Sequence, residues 1–144
     1  MYYNTLYYTQ IKRILVKQYK VKRFLVETKK LNIADKMLIN TVNDFMSMDK
    51  QGQQRHALGA GLYKLRLASR DGKGKSGGAR TILAVKQGKR LIWLHLFAKN
   101  DKGNVTTGEL KKLKTLADIL LGLSQVDIDK LVKRGELLEV QDHV

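Results

Sequence analysis

From Gly72 to Arg80 the chain reads Gly-Lys-Gly-Lys-Ser-Gly-Gly-Ala-Arg, and this interleaving of glycines with cations suits the holding of phosphate. Glycines let the backbone approach an anion closely and turn N–H groups toward it, while Lys73, Lys75 and Arg80 add charge without an obvious acidic partner. Gly74-Lys75-Ser76 supplies the last three letters of the nucleotide-binding pattern G-x-x-x-x-G-K-[ST], but Ser69 stands where its first glycine belongs. That pattern also requires a helix directly behind it, so that the phosphates rest on a helix N-terminus. Here the β-branched and aliphatic run Thr81-Ile82-Leu83-Ala84-Val85 follows, bounded by Gln87-Gly88, which reads as a strand entering a hairpin. ATP or GTP binding is therefore set aside.

The wider charge balance agrees with an anionic partner. The 144 residues carry 28 Lys and Arg against 13 Asp and Glu, a formal charge of +15. Between Gly61 and Arg80 the cations Lys64, Arg66, Arg70, Lys73, Lys75 and Arg80 meet only Asp71, so this short stretch supplies a third of the net charge. Such an excess points to nucleic acid. The absence of cysteine removes disulfides, thiolate zinc sites and thiol catalysis, and fits a cytoplasmic protein. Ile14-Leu15-Val16 is too short and too closely flanked by lysines to be a signal peptide core or a membrane span.

The elements that must position the loop follow from periodicity. A basic helix is expected from Val21 to about Leu31, and a second from Asn32 through Leu38, Val42 and Phe45, whose spacing marks one buried face. Gln51-Gly52-Gln53-Gln54 breaks the helical pattern. Three strands are expected at Leu62 to Ala68, Ala79 to Lys86 and Leu91 to Ala98, joined as a meander. On the last of them strict alternation puts Trp93, His95, Phe97 and Lys99 on one side, and Ile92, Leu94, Leu96 and Ala98 toward the core. Thr106 and Glu109 form a capping box for a helix with a leucine stripe, and Ser124 caps another that Arg134-Gly135 closes. The first 18 residues, with four of the six tyrosines, read as a tyrosine-rich basic extension, and 139–144 as a polar tail.

Gly61-Leu62-Tyr63-Lys64-Leu65-Arg66, the Gly72–Ile82 segment and Phe97-Ala98-Lys99-Asn100, together with the helix opening at Glu109-Leu110-Lys111, resemble the RelE-like toxins of bacterial type II toxin–antitoxin modules, in particular the HigB-like branch. The resemblance covers residues 19 to 138. It implies an α+β fold: a small antiparallel sheet of three to four strands, two N-terminal helices on one face, and C-terminal helices. It also implies a ribosome-dependent mRNA endoribonuclease that inhibits translation, in which the ribose 2′-OH attacks the adjacent phosphate, and a cognate antitoxin as partner.

On that resemblance Arg80 matches the strand-borne arginine at the scissile phosphate, Lys64 and Arg66 the cations of the preceding strand, and Lys99 the cation closing the last strand. Arg80, Lys99, Arg66 and Lys75 are the expected catalytic residues. Lys64, Arg70, Lys73 and His95 are expected to bind RNA, Arg70 and Lys73 through flanking backbone phosphates. A guanidinium fork can hold two phosphate oxygens where an ammonium cannot, which suits Arg80 to a phosphorane. Lys75, Lys64 or His95 are the groups available for proton transfer. Some relatives end on a catalytic tyrosine, whereas no tyrosine follows Tyr63 here. Asp71 and Asp101 are isolated, so neither a metal site nor any cofactor is expected. Two other classes remain open at this level: a ParE-like inhibitor of DNA gyrase, and a basic nucleic-acid-binding module without activity.

Overall fold

The computed structural model of the protein describes residues 17–67, 78–98 and 105–141. Among them six strands form one sheet: β1 (Lys17–Val21), β2 (Ala57–Gly59), β3 (Leu62–Arg66), β4 (Ala79–Lys86), β5 (Arg90–Ala98) and β6 (Leu137–Glu139). Five helices accompany them: α1 (Lys22–Leu31), α2 (Asp35–Ser47), α3 (Lys50–Gln54), α4 (Thr107–Gly122) and α5 (Gln125–Lys133). The strand order is β2-β3-β4-β5-β1-β6. All neighbours are antiparallel except β1 and β5, which are parallel.

The α+β class and the placement of α1 and α2 on one face are as expected, but the sheet is mixed and larger than three to four antiparallel strands. The missed strands are short. β1 is Lys-Gln-Tyr-Lys-Val and β6 is Leu-Leu-Glu, and neither carries a local signal, because each depends on a partner far away in sequence. β1 pairs with the first half of β5 on one side and with β6 on the other. Lys20 of β1 donates to Asp35 Oδ1 at the start of α2 at 2.6 Å, and Asp35 Oδ2 accepts from the Gln141 amide at 2.9 Å, so one carboxylate ties β1, α2 and the chain after β6 together. Gln51 to Gln54, expected to break the helical pattern, lie in α3, whose first turn Asp49 caps by accepting from the Gly52 amide.

Each face of the sheet has its own core. Phe24 of α1 and Leu38, Val42 and Phe45 of α2 pack on Leu65, Leu83, Leu91, Trp93 and Leu96. Ala117 and Leu120 of α4 and Ile128 of α5 pack on Leu62, Ile82, Ala84, Ile92 and Tyr19. Coverage on both sides explains why the alternation read along β5 assigns its faces wrongly: both faces are apolar, so period two carries no orientation. The register also shifts at this point, with Ile82 opposite His95 but Leu83 opposite Trp93, which leaves Leu94 as an extra residue. The bulge separates Trp93 from His95. Trp93 is fully buried with its ring 5.8 Å from Phe24, beneath the N-terminal helices, while His95 and Phe97 pair with residues of the other face.

The local signals hold well. Thr106 accepts from the Glu109 amide and Glu109 accepts from the Thr106 amide, completing the capping box, and Ser124 accepts from the Asp127 amide. At the β4–β5 hairpin Lys89 donates to the Lys86 carbonyl at 3.0 Å, with Gly88 in the left-handed region that the turn demands. Gly61 opens β3 at φ +79, and a Cβ there would lie 2.8 Å from Leu121 of α4.

A candidate phosphate-binding row at the end of the sheet

On the face covered by α4 and α5, the paired residues of β3, β4 and β5 form three rows that pass from apolar to cationic. The first row, Leu62, Ala84 and Ile92, is fully buried. The second is Lys64, Ile82 and His95, and the third is Arg66, Arg80 and Phe97. Apolar packing against the helices thus fixes the strands at one end, and the same strands carry cations two and four residues further along. Directly opposed residues on antiparallel strands project to one face with Cβ atoms about 4.5–5.5 Å apart, so Arg66 and Arg80 stand side by side. Among the described residues no carboxylate forms an ion pair with either. Nη1 of Arg80 is buried and has no hydrogen-bond partner among the described residues.

Four of the expected site residues, Arg80, Arg66, Lys64 and His95, are therefore gathered on two successive rows. His95 is half-buried, its ring 5.3 Å from that of Phe97, and its carbonyl accepts from Thr81 Oγ1 at 3.0 Å. The other four, Lys75, Lys73, Arg70 and Lys99, lie outside the described residues, as does most of the glycine-rich segment. The roots of that segment are described. Leu67 donates to the Ala79 carbonyl at 3.0 Å, and Ala98, the residue before Lys99, pairs with Ala79. The chain thus enters and leaves the Gly-Lys segment beside Arg80.

Two further features escaped the sequence. Arg90, at the opposite end of β5, is fully buried, and its Nη1 donates to the carbonyls of Leu120 and Leu123 at 3.1 and 2.6 Å, holding the C-terminal end of α4. Arg23 and Glu27 of α1 line a cleft of about 220 Å³ with Phe24, Leu94, His95, Leu96 and Phe97. Both lie in the stretch expected only as a basic helix, and the packing of α1 along β5 brings them to the cleft. Among the described residues no cluster of three or more His, Asp or Glu side chains is arranged to hold a metal ion.

Over residues 16–140 the sequence matches the family described as RelE toxin of the RelE/RelB toxin-antitoxin system. The chain belongs to the RelE toxin family. It is thus the toxin of a toxin–antitoxin module, and an antitoxin is its implied partner. The match takes in β1 and β6 as well as the central hairpins, so the two short strands without a local sequence signal lie within the family's span. No curated protein matches this RelE-family chain. No helix among its described residues is long and apolar enough to cross a membrane.

Proposed function

We propose that this toxin is a metal-independent, ribosome-dependent endoribonuclease that cleaves mRNA and so inhibits translation, and that its antitoxin silences it by covering the cationic row. The single observation that carries this reading is the opposed pair Arg66 and Arg80, set side by side at the roots of the Gly-Lys segment with no carboxylate paired to either among the described residues. Two like charges held together repel, and a phosphate between them relieves that repulsion while accepting their hydrogen bonds.

Cleavage by the internal 2′-OH breaks the bond from phosphorus to the 5′ oxygen, forms a 2′,3′-cyclic phosphate, and passes through a phosphorane of greater negative charge than the substrate. Arg80 stabilises that charge. Its buried Nη1 is a preorganised donor, and one such donor contributes about 2.7–4 kcal/mol at the transition state. Arg66 holds the same or the flanking phosphate, and Lys64 and His95, one row below, exchange the protons of the attacking and leaving oxygens. With no tyrosine beyond Tyr63, a tyrosine plays no part in these transfers on the β4–β5 side. Lys75 and Lys99 complete the cation set, and Arg70 and Lys73 hold neighbouring phosphates.

The test is induction of wild type and Arg80→Ala in bacteria, with growth followed and mRNA 5′ ends mapped, beside cleavage by purified protein on programmed ribosomes. The reading requires new 5′ ends with wild type only. Equal toxicity of both proteins with intact messages overturns it, and cleaved DNA with intact messages replaces it by gyrase inhibition.

A further inference from the structure

β5 outruns its neighbour. The parallel pairing with β1 ends at Lys20 opposite Trp93, and from Leu94 onward the chain that could have continued β1 has turned away as α1. The cleft of about 220 Å³ opens in that gap, with Arg23, Phe24 and Glu27 on one wall and Leu94 to Phe97 on the other. Phe97 belongs both to the cleft and to the cationic row, where it sits opposite Arg80. The cleft thus begins one strand spacing, about 4.8 Å, from the strand that carries Arg80. Resting on the reading of the row as an RNA phosphate site, we propose that this cleft is a base-reading subsite that takes the nucleobase adjoining the bound phosphate, with Glu27 and Arg23 as its specificity-determining residues.

The chemistry of the two side chains selects among bases. A carboxylate only accepts hydrogen bonds and a guanidinium only donates them. Arg23 and Glu27 are one helical turn apart, so their side chains stand together on one face of α1. Among the described residues Glu27 pairs with Lys30, at 3.7 Å and through an exposed ammonium, which leaves its second oxygen and the Arg23 fork available to a ligand. A base that fits must offer adjacent N–H donors to Glu27 and an acceptor to Arg23. Guanine does so with N1–H and N2–H beside O6. Uracil presents one N–H between two carbonyl oxygens, which a carboxylate repels. Single-stranded RNA is commonly read in this way, through the Watson–Crick edge of a base splayed out of its stack. Phe24 and Phe97 supply apolar walls for its ring, and His95 the polar rim.

The experiment is an NMR titration of the purified toxin with the four nucleoside 3′-monophosphates, which needs neither ribosomes nor cleavage. The expected result is tightest binding of the guanosine nucleotide, on the order of tenfold over the uridine nucleotide, with shifts at the amides of Arg23, Glu27, His95 and Phe97. Glu27→Gln removes that ranking. Arg80→Ala weakens all four nucleotides by a similar factor and keeps it. Equal affinities in wild type, a ranking that survives Glu27→Gln, or no binding at all overturns the subsite. A ranking that depends on Glu27 while messages stay intact on induction sustains the subsite and removes the nuclease reading, so the two fail separately.

Discussion

Arg66 and Arg80 are cross-strand partners on β3 and β4, two guanidinium groups directly opposed on one face with no acidic residue paired to either among the described residues. A like-charge pair in that position destabilises a sheet by a few tenths of a kcal/mol to about 1 kcal/mol. The fold carries that cost at the end of the sheet and offsets it with the buried Leu62, Ala84 and Ile92 row beneath. Removing one member should therefore stabilise the free protein while damaging its function. Arg66→Thr is expected to raise the melting temperature by about 1–3 °C in calorimetry, with reduced toxicity and a salt dependence of RNA binding shallower by about one phosphate contact. A lower melting temperature would show that the pair is neutralised in the free toxin.

At Arg80 the shape of the cation matters as well as its charge. Arg80→Ala should lower the cleavage rate on ribosomes by about 10²–10³. Arg80→Lys should recover little of it, because a single ammonium cannot bridge two oxygens of a phosphorane. Single-turnover rates at saturating ribosome check this, and full recovery with lysine would reduce Arg80 to a generic charge.

Buried Arg90 is predicted to be a structural residue with no part in RNA chemistry. Arg90→Ala removes two hydrogen bonds to the end of α4 and opens a cavity, and should cost about 3 kcal/mol or more in urea unfolding. Arg90→Met keeps most of the volume and should cost less. Either variant should lose amide-exchange protection first at the Leu120–Leu123 end of α4.

Gly61 combines a left-handed backbone with a near approach of Leu121 and the Val85 carbonyl. Gly61→Ala meets both, and should destabilise by more than about 1 kcal/mol, whereas Gly88→Ala, with open space around it, should suffer only the backbone strain. Comparing the two unfolding midpoints separates strain from crowding.

Parts of the fold whose causes lie within a few residues of one another are legible in the chain. The Thr106–Glu109 box, the Ser124 cap, the Gly88 turn and the helical stripe Leu38, Val42 and Phe45 each depend on neighbours three to seven positions away, and each stands where it was read. The density of cations from Gly61 to Arg80 and the motifs around Gly72 and Lys99 were equally legible, and with them the family. Features that depend on distant partners emerge only in the folded molecule. β1 becomes a strand because β5 and β6 pair with it, across about seventy and more than a hundred residues, so nothing in Lys17–Val21 announces it. The extra residue at Leu94 sends Trp93 to one core and His95 to the other face, a reversal hidden in a strand that is apolar on both sides. Arg23 and Glu27 reach the site for the same reason, since β5 outlasts β1 and leaves α1 to line the gap. Local hydrogen bonds and turns are set by covalent proximity, whereas register and coverage are fixed only when the whole sheet finds its partners.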